Sequence, residues 1–233
     1  MSEGWHYDEL RQVGVDFEDV EQVARYDAKQ GSSREAERGL VRRLDIGSGQ
    51  VVVDLGCGTG SFAREAARGG ARVRAVDVSQ AMLDFVRREA DREGLSSLET
   101  ERAGFLTFAA APDSIDVVVS RYALHHLPDF WKQVALLRLA TALRPGGRLL
   151  LRDVVFSFEP ETYPTAIESW VDRMPRESGF SRQEFETHVR EEFSTFAWVL
   201  EGFLARAGFD ILESDRPSPE YAEYLCTPAP AGR

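Results

Sequence analysis

The chain has only two cysteines, Cys57 and Cys226, in 233 residues. Two lone thiols make no disulfide framework and no C-x-x-C metal clip, so a reduced, cytoplasmic protein is expected. Histidine is scarce as well, at four residues. His125 and His126 adjoin, but His6 and His188 are distant in sequence, so no metal site is expected from their spacing. No apolar run approaches the roughly 18 residues that a membrane span needs. The opening MSEGWHYDELRQVGVDFEDVEQ is polar and acidic, and no secretory leader is expected from it. Positive charge is in deficit: 28 Lys and Arg stand against 39 Asp and Glu, for a net charge of −11. Such a surface repels phosphate backbones and anionic lipid, which argues against nucleic-acid and membrane partners.

What is present suits an ordinary α/β protein. Hydrophobic residues make up 43% and aromatics 10%, enough for a sizeable core in one large domain. Residues 1–45 read as an arm followed by two cap helices, with apolar residues at helical spacing on either side of KQGSS. Over 46–156 strands and helices alternate. The near-continuous apolar runs VVVDL, VVVS and RLLLRDVVF suit strands covered on both faces. The expected architecture is a doubly wound, mostly parallel sheet. Residues 157–194 break the alternation and predict two short helices, with turns at Pro160, Pro164, Pro175 and Gly179. A final helix at 195–206 and an antiparallel hairpin, FDILESD and EYAEYLCT parted by RPSPE, complete 195–233, with TPAPAGR as a loose tail.

The stretch VVVDLGCGTGSFA carries the main functional signal. Gly56, Gly58 and Gly60 join the first strand to a helix, where missing β-carbons let a ligand lie against the main chain. A tight turn that binds nothing is the alternative. Two acids favour a ligand. Asp77, ending the second strand, is placed to accept hydrogen bonds from a ribose diol. Asp54, just before the loop, would repel a pyrophosphate but suits an amine. The G-x-G-x-G spacing also differs from the G-x-G-x-x-G of dinucleotide binders. A nucleoside cofactor with a positive amino-acid end and no phosphate fits best.

The segments VVVDLGCGTG, AVDVSQAML, SIDVVVSRYALHHLPD and ALRPGGRLLLRD resemble the successive motifs of class I S-adenosylmethionine-dependent methyltransferases. The resemblance covers about 45–153 closely and the closing hairpin more loosely. It implies a Rossmann-like seven-stranded sheet with its last strand antiparallel, and S-adenosyl-L-methionine as cofactor, with S-adenosyl-L-homocysteine as product. It places Gly56, Gly58 and Gly60 along the methionine and ribose, Asp54 near the amino group, Asp77 on the ribose, Val78 and Met82 at the adenine, and Ser120 at the methionine end. Relatives often carry an adenine-reading acid after the third strand. Here Gly104 stands in its place and Phe105 follows, so that contact falls to main chain and Phe105. Tyr26, in the cap helices, is a candidate donor to the cofactor carboxylate.

Methyl transfer from a sulfonium needs alignment, a dry site and, for some acceptors, a base. His125 and His126, just past the fourth strand, are the expected bases, with His188 in the insertion as a third candidate. Capping and packing are the alternative for the pair. Arg121, Tyr163, Trp170, Phe196 and Trp198 are candidates for the acceptor wall; core packing is the alternative reading of the aromatics. FEPE, LPDFWKQ and EEFSTF resemble a subgroup of bacterial small-molecule methyltransferases. The expected function is methyl transfer to an O, N or C atom of a small molecule, by a monomer or homodimer. Three alternatives remain: a non-catalytic binder of the cofactor, an enzyme that uses it without methyl transfer, and an NAD-dependent oxidoreductase.

Overall fold

The computed structural model describes residues 4–10 and 33–230. Tyr26 and the first expected cap helix lie outside them. The second cap helix is α1, Arg34–Arg43. Ser33 caps it, its hydroxyl accepting from Ala36 N at 3.1 Å. Glu35 and Glu37 in its first turn, with Arg42 and Arg43 in its last, suit the helix dipole.

The core follows as β1 (Val51–Leu55), α2 (Ser61–Arg68), β2 (Arg72–Asp77), α3 (Gln80–Glu93) and β3 (Leu98–Arg102). Then come β4 (Ile115–Arg121), α4 (Asp129–Ala142) and β5 (Leu143–Phe156). Strand alternation sends Val52 and Val53 to opposite faces. Val52 packs with Phe62, Val73 and Val119, while Val53 joins Phe105, Leu136 and Leu151. Both faces are therefore core, as the unbroken valines of β1 require.

The sheet runs β3-β2-β1-β4-β5-β8-β7. Strands β1 to β5 are parallel, and β8 (Tyr221–Pro228) is antiparallel to both β5 and β7 (Phe209–Ser218). The chain leaves the sheet edge at β3 and re-enters beside β1 as β4. That reversal opens a crevice at the carboxyl ends of β1 and β4.

The expected seven strands are present, with one small addition. Thr195–Phe196, assigned to a helix from the sequence, form a two-residue strand β6 paired with Val155–Phe156. Helix α7 begins only at Ala197 and runs to Arg206. The hairpin strands also extend through Arg216-Pro217-Ser218, with register shifts, so two residues rather than five connect them.

The 157–194 insertion differs more. It holds one long helix, α5 (Tyr163–Ser178), then α6 (Arg182–Glu191). Pro164 sits in the first turn of α5, where a missing N–H costs nothing, and Pro175 lies inside the helix. Neither makes the expected turn. Gly179, at φ 73°, ends α5. Trp170 and Val171 bury against Val154, with Tyr221 alongside, and that apolar anchor carries the helix past Pro175.

Candidate active site

The three loop glycines have φ of 74°, 53° and 71°, a conformation that side chains disfavour. Crowding adds to the demand. A Cβ on Gly56 would overlap that of Ala123, and one on Gly60 would lie 2.7 Å from Val86 Cγ2. The loop is tied to β2, since Gly56 N and Cys57 N donate to Val76 O at 2.8 and 3.0 Å. Asp77 completes the cradle: its two oxygens accept from Gly58 N at 2.8 Å and Ser79 N at 2.9 Å.

Asp54 is 3% exposed, and its Oδ2 has no hydrogen-bond partner among the described residues. Burial pushes its carboxyl up to about 7, against the pull of Arg121. Arg121 in turn pairs with Glu37 at 3.0 Å. An orphaned buried carboxylate oxygen beside a bare loop is what a cofactor with a cationic amino group needs. Ser120, fully buried at the end of β4, also has an unpartnered hydroxyl among the described residues.

Past β2, Val78 is half-buried and Met82 buried; past β3, Phe105 is buried within the main core. Gly104 has an unexpected neighbour. A Cβ there would come within 2.5 Å of the Glu9 carboxylate. Glu9 accepts from Leu106 N at 2.9 Å and Thr107 N at 2.6 Å. An acid does stand at this turn, supplied by the N-terminal segment rather than by β3. Pattern reading along β3 alone had no means of finding it.

The histidines converge. His125 lies in the 3-10 turn Leu124–His126 that follows β4. Its main-chain N donates to Asp153 Oδ2 at 3.1 Å, its Nδ1 bonds Asp153 Oδ1, and its Nε2 is 3.1 Å from Glu192 Oε2. His188, 63 positions further along the chain, pairs with the same Glu192 oxygen through Nδ1 and with Ser194 Oγ at 2.7 Å through Nε2. The His125 ring lies 4.3 Å from that of His126 and 4.9 Å from that of His188. Separation along the chain therefore misled the reading of His188 as remote.

Burial would lower the His125 pKa, but Asp153 and Glu192 outweigh it and raise it to about 9. Burial and the adjacent His125 cation pull His126 down to about 3. Burial would raise Glu192, yet the two histidines hold it well below the usual carboxylate range. Both ring nitrogens of His125 are thus engaged by carboxylates, which favours its charged form.

A cleft of about 1190 Å³ runs from α1 to α5 and α6. Asp54, Gly56 and Arg121 line it, as do His125, His126, His188 and Glu192. Its apolar wall is Tyr122, Met174, Phe180, Phe185 and Tyr221. The four aromatics expected there lie elsewhere. Tyr163 and Trp198 are 61% and 67% exposed, Trp170 is fully buried, and Phe196 packs among Phe156, Phe158 and Trp198. Trp198 sits on the open face of α7, whose Ala197, Leu200 and Leu204 take the core side. Phe185 lies on a helix with no fully buried residue, and Glu192 only caps its end, so no core-facing pattern marks either.

A family model described as a methyltransferase domain matches residues 52–147. A relative from Geobacillus kaustophilus, described as an uncharacterized methyltransferase, is 32% identical over 163 residues, 70% of each chain. The methyltransferase GfsG of Streptomyces halstedii is 34% identical over 130 residues, which is 55% of this chain and 46% of that one. Among solved structures, phosphoethanolamine N-methyltransferase 2 of Haemonchus contortus, in complex with S-adenosyl-L-methionine, shares the fold at a TM-score of 0.69. It is 17% identical, over 91% of this chain and 57% of that chain. With the glycine cradle, the switch-point crevice and a methyltransferase relative spanning 70% of the sequence, the chain belongs to the class I S-adenosylmethionine-dependent methyltransferases.

Proposed function

We propose that the enzyme methylates a small molecule bound in the cleft between the glycine loop and helices α5 and α6. The observation that carries this reading is the shared cavity. Asp54 and Gly56 line the same space as the apolar wall of Tyr122, Phe180 and Phe185. A donor on the loop and an acceptor on the wall would then face each other. One structural relative is named for a small amine acceptor, phosphoethanolamine, which is consistent with that size class.

S-Adenosyl-L-methionine supplies an electrophilic methyl group and a neutral thioether as leaving group. The protein's part is binding and alignment. Asp54 would receive the amino group, and Asp77 the ribose hydroxyls. Gly56, Gly58 and Gly60 would give the close main-chain approach, with Val78, Met82 and Phe105 bordering the base. Helices α5 and α6 roof the acceptor side and exclude water, where correct placement of two reactants supplies most of the rate. Asp54, a lone carboxylate beside the loop, also opposes the pyrophosphate that a nicotinamide dinucleotide would bring.

The test is incubation with S-adenosyl-L-methionine and panels of small amines, phenols and carboxylic acids, read by mass spectrometry. A gain of one methyl on an acceptor, with S-adenosyl-L-homocysteine formed in step, is the expected result. Tight cofactor binding with no methylated product in any panel would instead favour a binding module.

A further inference from the structure

His125, His126 and Glu192 each offer one ligand atom, and the three atoms lie within 4.8 Å of one another. The pair of histidines follows β4, while Glu192 caps the end of α6. His125 Nε2 and Glu192 Oε2 are 3.1 Å apart. Two ligands about 2.0–2.1 Å from a tetrahedral Zn²⁺ ion lie about 3.3 Å from each other, so this pair already has ligand spacing. The far side of each is fixed. Asp153 holds Nδ1 and the main-chain N of His125. His188 holds Glu192 through Nδ1, and its own Nε2 is anchored on Ser194 Oγ at 2.7 Å. A carboxylate behind a ligating imidazole is how metal sites set the tautomer and direction of the ligand.

We propose that His125, His126 and Glu192 bind one divalent transition-metal ion of the zinc type, with Asp153 and His188 as positioning residues. Two imidazoles and a carboxylate suit Zn²⁺ and its first-row neighbours, whereas Mg²⁺ and Ca²⁺ prefer all-oxygen sets. Three protein ligands leave a fourth position open, the pattern of reactive rather than structural sites. On binding, the proton between His125 Nε2 and Glu192 leaves to solvent, and the ion takes its place. The open position adjoins the cleft that Asp54 and Gly56 line, where an acceptor hydroxyl could bind and ionise. That last role rests on the methyl-transfer reading; the binding of the ion does not.

The experiment is titration of the chelator-stripped, full-length protein with Co²⁺ alone, followed by visible absorption and by equilibrium dialysis. One equivalent of Co²⁺ with ligand-field bands of a four-coordinate N/O site is expected. Glu192→Gln and His126→Gln should each abolish the bands, and Asp153→Asn should weaken binding about 10–100-fold. Calorimetric affinity for S-adenosyl-L-homocysteine reports which variants remain folded; if Glu192→Gln does not fold, His126→Gln decides, since its ring is held by no hydrogen bond among the described residues. Absence of stoichiometric Co²⁺ binding, or bands that survive in a folded ligand variant, would overturn the assignment. Neither donor nor acceptor is present, so failure here leaves the methyl-transfer reading standing.

Discussion

Asp153 binds His125 twice, one oxygen taking the main-chain N–H and the other the ring Nδ1–H. Both residues are buried, Asp153 at 2% exposure. Removing one partner of such a pair strands the other charge in the interior, which costs about 3–5 kcal/mol. Asp153→Ala is therefore expected to lower the unfolding free energy by that amount, read as an earlier guanidinium midpoint at unchanged slope. A loss below 1 kcal/mol would mean that the pair is not formed in solution.

Gly56 faces two obstacles to substitution, a positive φ and the Ala123 methyl group. Gly56→Ala should weaken S-adenosyl-L-homocysteine binding at least tenfold by calorimetry, about 1.4 kcal/mol or more. Adding Ala123→Gly removes the overlap but not the φ strain, so the double variant should recover only part of the loss. Full recovery would show that crowding alone makes the position glycine.

Asp77 ties the loop to the end of β2 through Gly58 N and Ser79 N. Asp77→Ala should cost about 1–3 kcal/mol of cofactor affinity, the range for lost hydrogen bonds to a charged group. Unchanged calorimetric affinity would remove Asp77 from the site.

Asp54 makes cofactor binding depend on pH. Its folded pKa, raised to about 7 chiefly by burial, lies above the unfolded value of about 3.9. Its contribution to stability is therefore full below the unfolded value and is lost as pH rises through 7. Cofactor affinity runs the other way, because a cationic amino group favours the ionised carboxylate. Calorimetry from pH 5.5 to 8 should show binding tightening through about 7, and Asp54→Asn should flatten the curve.

Trp170 and Trp198 separate core from surface within the same aromatic-rich region. Trp170 is fully buried, and Trp170→Ala should destabilise the fold by about 3–5 kcal/mol. Trp198 is 67% exposed, and its replacement by Ala should change stability by no more than about 0.5 kcal/mol and leave KM for any acceptor unaltered. An altered KM would place Trp198 on the acceptor path.

The parts of the molecule legible in the sequence are those where local chemistry and fold agree. Gly56, Gly58 and Gly60 announce themselves because side chains disfavour their positive-φ backbone, and Asp77 because it ends a strand beside them. The β1 valines declare a strand buried on both faces. The rest depends on tertiary contacts that leave no local mark. Pro175 reads as a break, yet the burial of Trp170 and Val171 holds the helix through it. Glu9 reaches the turn after β3 from 97 residues upstream, and Glu192 reaches His125 from the end of a helix with no buried residue. No spacing rule connects such residues.

The two-residue strand β6 settles what Glu192 moves with. Thr195–Phe196 are laced to Val155–Phe156, and Phe193 N donates to His125 O at 2.8 Å while Lys132 Nζ grips Phe193 O. The acid is thereby moored to the floor of the cavity, although α6, just before it, belongs to the roof. Glu192 thus stands with the sheet side of the cleft, and His188, on α6, meets it from the opposite side.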